Sequence, residues 1–262
     1  VGGDILYKGE SLLKKSEKEM RKIRGNEISM IFQEPLTSLN PVFTVGQQIC
    51  ETLKMHQGLN KKQAREKGIE MLKKVGIPTP EKVIDDYPHQ LSGGMRQRVM
   101  IAMALACNPA ILIADEPTTA LDVTIQAQIL KLLGELKKEM NTAIILITHD
   151  LGIVAQIAQN VMVMYAGQAV EYADVRTLFK NTLHPYTLGL LKSIPVIGDD
   201  KDSLFSIKGS IPSAKDYPKG CRFCPRCDRA MGKCMNEAPE LTEAEPGHWV
   251  RCWLYEGGKN NG

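Results

Sequence analysis

The apolar stretch Ile111-Leu112-Ile113-Ala114 runs directly into two adjacent carboxylates, Asp115 and Glu116. A short run of branched apolar residues is typical of a buried strand in a parallel sheet. Side chains at the carboxyl end of such a strand face the crevice in which α/β proteins bind ligands. Asp115 is therefore a candidate Mg²⁺ ligand, and Glu116 a candidate base for an attacking water. A strand that simply ends in two solvated acids is an equally good interpretation of this stretch alone.

Strand and helix patterns continue on both sides of this stretch. We predict helices over Thr124–Met140 and Leu151–Gln159, and strands over Asp4–Tyr7, Glu27–Phe32, Ala110–Ala114, Thr142–Thr148 and Val161–Tyr165. Gly167 is expected to turn the chain into a last hairpin strand. A strand, a helix and a strand at this spacing form a βαβ unit, which implies a parallel sheet and an α/β fold.

The segment between the N-terminal strands and residue 107 is mainly helical. Pro, Thr, Ser and Asn mark a loop over Glu34–Pro41. Apolar residues at three- and four-residue spacing then predict helices over Val45–His56 and Lys61–Val75, and a third from Ser92 to about Cys107. One further helix is expected around Leu178–Lys192, before a segment rich in Pro and Gly.

The composition is that of an ordinary globular protein. Hydrophobic residues make up 43% of the 262 residues and charged residues 24%, with a net charge of +3. So small a charge gives no support for a nucleic-acid partner or for direct binding to an anionic membrane. No apolar run reaches the roughly 18–20 residues that cross a bilayer, and no signal peptide is visible. Membrane association is therefore expected through a partner.

The stretch Leu91–Arg98, which has the sequence LSGGMRQR, precedes an apolar helix and forms a candidate anion site. Ser92 is a good N-cap, and Gly93 and Gly94 let backbone N–H groups approach an anion closely. The N-terminus of a helix favours phosphate groups. An ordinary capped helix with a flexible Gly-Gly hinge is the alternative.

The order of the motifs is more specific than any one of them. The Ser-Gly-Gly motif precedes the Asp-Glu strand by about twenty residues, and that strand continues into Pro117-Thr118-Thr119-Ala120-Leu121-Asp122. A later strand ends in Thr148-His149-Asp150, and Gln33 lies at a strand end upstream. This ordered set resembles the ATP-binding-cassette (ABC) ATPase family, and the resemblance covers the whole chain.

The resemblance implies a role for each motif. Residues 91–95 match the signature motif, which binds the γ-phosphate held by the opposite subunit of a dimer. Asp122 matches the D-loop at the dimer interface, and Gln33 the Q-loop glutamine that links Mg²⁺ to a helical subdomain. The predicted catalytic residues are the base Glu116 and the switch histidine His149, and the predicted binding residues are Gln33, Ser92, Gly93, Gly94, Asp122 and the Mg²⁺ ligand Asp115.

The same resemblance implies an α/β fold of the P-loop NTPase (RecA-like) type. Its core is expected in residues 1–33 and 107–173, an inserted helical subdomain with the signature in 34–106, and a Cys-rich extension in 174–262. The family's phosphate cradle, G-x-x-x-x-G-K-[ST], does not occur in the sequence, and the family places it upstream of Val1. The core is therefore expected to be incomplete. We favour truncation over a degenerate subunit that lends its signature to a paralogue, and expect this chain alone to bind and hydrolyse ATP poorly.

Three features resemble the ATPases of dipeptide, oligopeptide and nickel importers. They are the Q-loop segment Phe32–Pro41, the segment His184-Pro185-Tyr186-Thr187, and a cluster of cysteines near the C-terminus. The resemblance implies an importer subunit that couples ATP hydrolysis to solute uptake. Peptides are favoured as the solute over nickel.

The seven cysteines fall into two groups. Cys50 and Cys107 stand alone in apolar surroundings and are expected to be small core residues. Five cysteines crowd into the last sixth of the chain: Cys221, Cys224, Cys227, Cys234 and Cys252. In a protein expected in the cytosol, such a cluster indicates a metal or iron–sulfur site before it indicates disulfides.

The importer resemblance also implies a ligand set. The ligands of a [4Fe–4S] cluster match Cys221, Cys227, Cys234 and Cys252, and Cys224 is then a spare thiol. Four thiolates that hold a structural Zn²⁺ are the alternative. We expect His248 to be packed or hydrogen-bonded rather than a ligand.

Partners and a mechanism follow from the same resemblance. Two ATPase subunits, identical or paralogous, are expected to enclose two ATP molecules with Mg²⁺. The helical region is expected to dock on transmembrane permease subunits at the cytoplasmic face of the membrane, with a solute-binding protein as an indirect partner. Two rival classes are a cassette ATPase of DNA repair or translation and a non-enzymatic electron carrier. The small charge argues against nucleic acid, and the retention of Glu116 and His149 argues against the carrier.

Overall fold

The computed structural model describes residues 3–34, 38–119, 121–195 and 205–258. Residues 35–37 of the expected Q-loop, Ala120 of the motif after the Asp-Glu strand and part of the Pro- and Gly-rich segment lie outside these ranges. The chain divides into two compact units, a first unit of residues 1–149 and a second unit of residues 150–262. The finer division into core, helical subdomain and extension stays a prediction.

The first unit contains every strand and helix that the sequence predicts for it, with ends that differ by a residue or two. The elements are β1 (Leu6–Tyr7), β2 (Glu10–Ser11), α1 (Glu17–Ile23), β3 (Ile28–Ile31), α2 (Val45–Gln57), α3 (Lys61–Lys74), α4 (Pro80–Val83), α5 (Gly93–Leu105), β4 (Ile111–Asp115), α6 (Val123–Met140) and β5 (Ala143–Ile147).

A parallel sheet, with the order β3-β4-β5 within the described residues, forms the centre of the first unit. This confirms the predicted parallel α/β arrangement. The register pairs Ile31 with Ala114 and Asp115 with Ile147. The three strands therefore end side by side, and the residues that follow them emerge at one edge of the sheet.

Local sequence signals set the ends of the helices in the first unit. Thr44 caps α2 in a reciprocal capping box with Gln47, and Gly58 ends that helix in the left-handed conformation at φ 65°. The apolar faces of α2, α3 and α5 share one core, whose fully buried members include Leu53 and Leu72. Burial of each such side chain stabilises the fold by about 1.5–3 kcal/mol. Cys50 and Cys107 lie in this core, as predicted, and Ile49, Ile101 and Leu112 are also part of it.

The second unit is built around an antiparallel sheet of order β6-β7-β9-β8 among its described residues. Its elements are α7 (Leu151–Ile157), β6 (Asn160–Tyr165), β7 (Gln168–Asp174), α8 (Val175–Lys180), α9 (Pro185–Lys192), α10 (Gly232–Asn236), β8 (Thr242–Glu245) and β9 (His248–Val250). The predicted hairpin is confirmed, because Ala166 and Gly167 turn the chain with φ of 49° and 77° between β6 and β7.

The prediction of one helix around Leu178–Lys192 is wrong. The structure has two helices, α8 and α9, that are separated before Pro185. Proline lacks the N–H that a continuous helix needs and disfavours helical geometry in the preceding residue, which is His184 with ψ 130°. The His184 ring instead accepts a hydrogen bond from Tyr186 N at 3.0 Å and so caps the second helix.

Across the described ranges, the structure contains no helix that combines the length and apolar character of a membrane span.

Candidate functional site

The sheet edge in the first unit brings together three of the predicted site residues. Gln33 follows β3, Glu116 follows β4 and His149 follows β5. Gln33 Nε2 donates a hydrogen bond to Glu116 Oε2 at 2.8 Å, and His149 Nδ1 lies 3.0 Å from Glu116 Oε1. The Glu116 side chain is 23% exposed and that of His149 77% exposed. The carboxylate and the imidazole are therefore accessible to solvent.

Glu116 has a backbone conformation that non-glycine residues rarely adopt. Its φ is 43°, in the left-handed region. Such a conformation costs on the order of 1–3 kcal/mol and persists only where the surroundings hold it. Here Glu116 N–H donates to Ile147 O of β5 at 2.9 Å. The neighbouring strand thus fixes the direction in which the carboxylate points.

Thr119 completes the group around Glu116, and the sequence analysis missed it. Its hydroxyl donates to Glu116 Oε2 at 2.8 Å. This bond, followed by those from His149 and Gln33, holds the pKa of Glu116 below its usual range. The carboxylate is therefore ionised at neutral pH. The signal available in the sequence was a hydroxyl residue three positions after the acid. In the structure the two residues lie in one tight turn, in which Thr119 N donates a hydrogen bond to Glu116 O at 3.1 Å. We name residues 115–119 the catalytic turn, after the predicted role of Glu116.

Asp115 lies beside this group as the last residue of β4. Its side chain is partly exposed at the same edge of the sheet. Carboxylate oxygens in such a position suit a Mg²⁺ that keeps part of its water shell. The donor chemistry of Asp115 thus fits the predicted ion, and its role as ligand stays a prediction.

The predicted signature residues form the start of α5. Ser92 is its N-cap, as predicted, with its hydroxyl accepting a hydrogen bond from Met95 N at 3.3 Å. Around Gly93, the space that a Cβ would occupy has no neighbouring atom within 4 Å, so the backbone there is open to a ligand. A Cβ on Gly94 would lie 3.1 Å from Ile125 Cγ2, which makes a side chain at that position tight. We name α5 the signature helix.

Asp122 caps a helix rather than joining the Glu116 group. Its carboxylate accepts a hydrogen bond from Ile125 N at 2.9 Å at the start of α6. The predicted roles of Ser92, Gly93, Gly94 and Asp122 across a dimer interface stay predictions.

A second residue missed by the sequence analysis, Gln97, links the signature helix to the catalytic turn. Its side chain is 1% exposed, and its Nε2 donates to Pro117 O at 2.6 Å. Pro117 directly follows Glu116. The arrangement of an ionised carboxylate, a histidine and a strand-end aspartate beside a glycine-rich helix start has the parts expected of a nucleotide-hydrolysing ATPase.

Comparison with known proteins identifies the family of this chain. Residues 1–119 match the family model described as ABC transporter, and residues 170–234 match the model described as oligopeptide/dipeptide transporter, C-terminal region. The chain is also similar to solved ATP-binding cassettes. Dimeric MJ0796 bound to ADP and phosphate in a post-hydrolysis state aligns with a TM-score of 0.59 and 29% identity, over 67% of this chain and 74% of that one.

Curated relatives are more similar still. The oligopeptide transport ATP-binding protein AppD of Bacillus subtilis (strain 168) is 57% identical over 256 residues, which are 98% of this chain and 78% of AppD. The dipeptide transport ATP-binding protein DppD of Escherichia coli (strain K12) is 53% identical over 246 residues, 94% of this chain and 75% of DppD. The chain therefore belongs to the ABC transporter ATPases, and within them to the oligopeptide/dipeptide transporter group.

The clustered cysteines of the second unit line one cavity. All five of its cysteines contribute to the wall, together with His184 and Phe223. Burial raises the pKa of Cys221 and Cys227, and that of Cys252 to about 12. The described residues include no group of three or more His, Cys, Asp or Glu side chains arranged to hold a metal ion. The sulfur donors thus fit an iron–sulfur or zinc site in kind, but they do not have metal-binding geometry in this structure.

A buried carboxylate holds the strands beside this cavity together. Glu171 of β7 is 0% exposed and accepts hydrogen bonds from Leu183 N at 2.7 Å and His184 N at 3.1 Å. His248 of β9 is 1% exposed, and its Nε2 lies 2.9 Å from Glu171 Oε1. The prediction that His248 is packed and hydrogen-bonded is thereby confirmed. We name these four residues the Glu171 clamp.

Proposed function

We propose that this chain is the ATP-hydrolysing subunit of an ABC importer for oligopeptides or dipeptides. The observation that carries the proposal is the hydrogen-bonded group of Gln33, Glu116 and His149 at the sheet edge. In the importer, the subunit acts at the cytoplasmic face of the membrane, with a second ATPase subunit and with transmembrane permease subunits. A solute-binding protein delivers the peptide to the permease.

Each of the site residues has its own role in ATP hydrolysis. Glu116 is ionised, so it accepts a hydrogen bond from the attacking water and orients it toward the γ-phosphate. His149 contacts the γ-phosphate from the end of β5. Asp115 would hold Mg²⁺, and the bound ion would supply positive charge that offsets the charge of the phosphates. The open backbone at Gly93, with the N-terminus of the signature helix, binds the γ-phosphate of the ATP held by the partner subunit.

The substitution Glu116→Gln tests this assignment in an assembled importer whose ATPase subunit has the phosphate cradle that does not occur in this sequence. We expect the rate of ATP hydrolysis to fall by about 10²–10⁴-fold, the usual contribution of a positioned base, while ATP binding persists. Glu135→Gln is the matched control, because Glu135 is an exposed carboxylate on α6 whose side chain is 64% accessible. Equal hydrolysis rates in the two variants would remove Glu116 from the mechanism.

A groove along α2 provides the docking surface for the permease. Its walls are formed by Phe43, Gln47, Glu51, Lys54 and Met55. Phe43 and Met55 are 46% and 67% exposed, which is unusual for large apolar side chains, and the polar side chains between them have both charges. We assign to this groove a short amphipathic helix from a cytoplasmic loop of the permease.

Exchange of one groove residue for a polar residue tests the docking surface. We expect Phe43→Ser to weaken assembly with the permease and to reduce transport. The control is Leu13→Ser, since Leu13 is 64% exposed in the same unit but lies outside the groove. Unchanged assembly for Phe43→Ser would show that the groove is not the docking surface.

The cysteine cavity is the proposed site of a [4Fe–4S] cluster held by Cys221, Cys227, Cys234 and Cys252. Two observations support this ligand set: the four thiols line one cavity, and the thiol of Cys224, which lines the same cavity, instead donates a hydrogen bond to Met235 Sδ at 3.2 Å. Soft thiolates are the ligands that iron–sulfur clusters require.

Metal analysis of anaerobically purified protein tests this site. We expect iron and sulfide with a brown colour, retained in Cys224→Ser and lost in Cys234→Ser. A colourless protein with stoichiometric zinc would contradict the cluster and would indicate a structural zinc site instead.

A further inference from the structure

Two contacts tie the signature helix to residues around Glu116 of the same chain. Gln97, one turn into the helix, donates from Nε2 to Pro117 O at 2.6 Å. Gly94 packs so closely on α6 that a Cβ there would lie 3.1 Å from Ile125 Cγ2. The start of the helix is therefore held against both the catalytic turn and the helix that follows it.

We propose that Gln97 is a positioning residue that couples phosphate binding at the signature to the orientation of Glu116 in the same subunit. This inference rests on the proposed function. In the dimer, the signature of one subunit binds the ATP held by its partner, whereas Glu116 serves the ATP held by its own subunit. Gln97 therefore links the two nucleotide sites through a single buried side chain.

The geometry makes this link stiff. Gln97 is 1% exposed, so its hydrogen bond to Pro117 O does not compete with bulk water. Pro117 is covalently joined to Glu116, whose φ of 43° lies in a narrow allowed region. A displacement of the Pro117 carbonyl therefore changes the direction of the Glu116 carboxylate instead of being absorbed by a soft backbone. The signature helix has 13 residues, so continuous helical hydrogen bonds connect its first turns.

Removal of the Gln97 donor tests the link in the assembled importer. Gln97→Leu and Gln97→Met nearly keep the size of the side chain but have no hydrogen-bond donor. We expect each to lower kcat for ATP by about 10-fold or more and to change KM by less than about 3-fold, because an interaction that orients the base is realised in the transition state.

The matched control is Thr142→Val. Thr142 is 3% exposed and its hydroxyl donates to Pro109 O at 2.8 Å, so this change also removes a buried side-chain bond to a proline carbonyl. It does so at the opposite end of β4 and β5, away from the catalytic turn. We expect Thr142→Val to lower the melting temperature but to leave kcat within about 2-fold of the wild type.

A double-mutant cycle with Ser92→Ala separates coupling from structure. If Gln97 couples phosphate binding at the signature to the orientation of Glu116, Ser92→Ala should lower kcat in the wild type and in Thr142→Val. It should have little further effect in Gln97→Leu. Hydrogen exchange gives a readout without turnover: nucleotide should protect the amides of residues 116 and 118–119 in Thr142→Val and not in Gln97→Leu.

An equal effect of Ser92→Ala in all three backgrounds would overturn the inference and leave Gln97 a structural residue. Failure of the proposed function would give a different result, because neither Glu116→Gln nor Ser92→Ala would then affect hydrolysis in the wild-type background.

Discussion

The Glu171 clamp predicts a large loss of stability from a change of one atom. Leu183 N and His248 Nε2 share Oε1 of Glu171, and His184 N donates to Oε2. In Glu171→Gln, an amide NH₂ replaces one of these two oxygens. A buried donor then faces another donor, and the remaining bonds lose the assistance of the negative charge. An unsatisfied buried group costs about 1–3 kcal/mol, and three hydrogen bonds converge on this one buried carboxyl group. We expect a loss of about 3 kcal/mol in the free energy of unfolding.

The two tryptophans of the chain, Trp249 and Trp253, both lie in the second unit, so their fluorescence reports on its unfolding. In urea, at a slope of about 1.5 kcal/mol/M, the expected loss lowers the unfolding midpoint by about 2 M. The measurement uses reduced protein treated with chelator, so that a bound metal does not contribute.

Glu243→Gln is the matched control for this experiment. Glu243 also accepts a hydrogen bond from a backbone amide, that of Gly247 at 2.7 Å, but it is exposed on β8. Its replacement is expected to change the free energy of unfolding by at most about 0.5 kcal/mol. Similar midpoints for Glu171→Gln and Glu243→Gln would refute the clamp as a source of stability.

Three further predictions concern the first unit. Thr119→Val removes the donor that stabilises ionised Glu116, so the pKa of Glu116 should rise. As the pH is lowered, kcat should then fall at a higher pH than in the wild type. Thr119→Ser keeps the donor and should keep the wild-type pH profile. Asp122→Ala removes the N-cap of α6 and should lower stability by about 1 kcal/mol in thermal unfolding without nucleotide, whereas Asp122→Ser should restore most of it. Leu53→Ala, at a fully buried core position, should cost about 2–5 kcal/mol in denaturant unfolding, and a loss below about 1 kcal/mol would contradict the packing described.

The secondary structure was predictable wherever the signal is local. The period of apolar residues and the caps at Thr44 and Ser92 fix the helices of the first unit, and short apolar runs fix its strands. The exception is the segment around His184-Pro185. There the apolar spacing continues through Pro185, and the pattern alone does not show that the buried His184 ring ends one helix and caps the next.

The candidate site was predictable in part for a similar reason. Gln33, Glu116 and His149 each follow a strand, so a parallel sheet alone suffices to bring them together. Gln97 and Glu171 were missed because nothing in their local sequence shows that a polar side chain is buried. Their partners, Pro117 and His248, lie 20 and 77 positions away along the chain. Such pairs are determined by tertiary packing.

The conformation of Glu116 explains why the order of the motifs was more informative than any one motif. An acid after an apolar strand is common, and a left-handed φ at that acid is unfavourable unless distant elements support it. Here the support comes from Ile147 O on one side and from the bond between Gln97 and Pro117 on the other. We therefore expect Glu116 to keep this conformation, with its carboxylate beside His149, only when two conditions are met. The strand that ends in His149 must lie beside the acid strand, and the signature helix must lie against the turn. The sequence order specifies that combination, because it places the signature helix before the acid strand and the histidine strand after it.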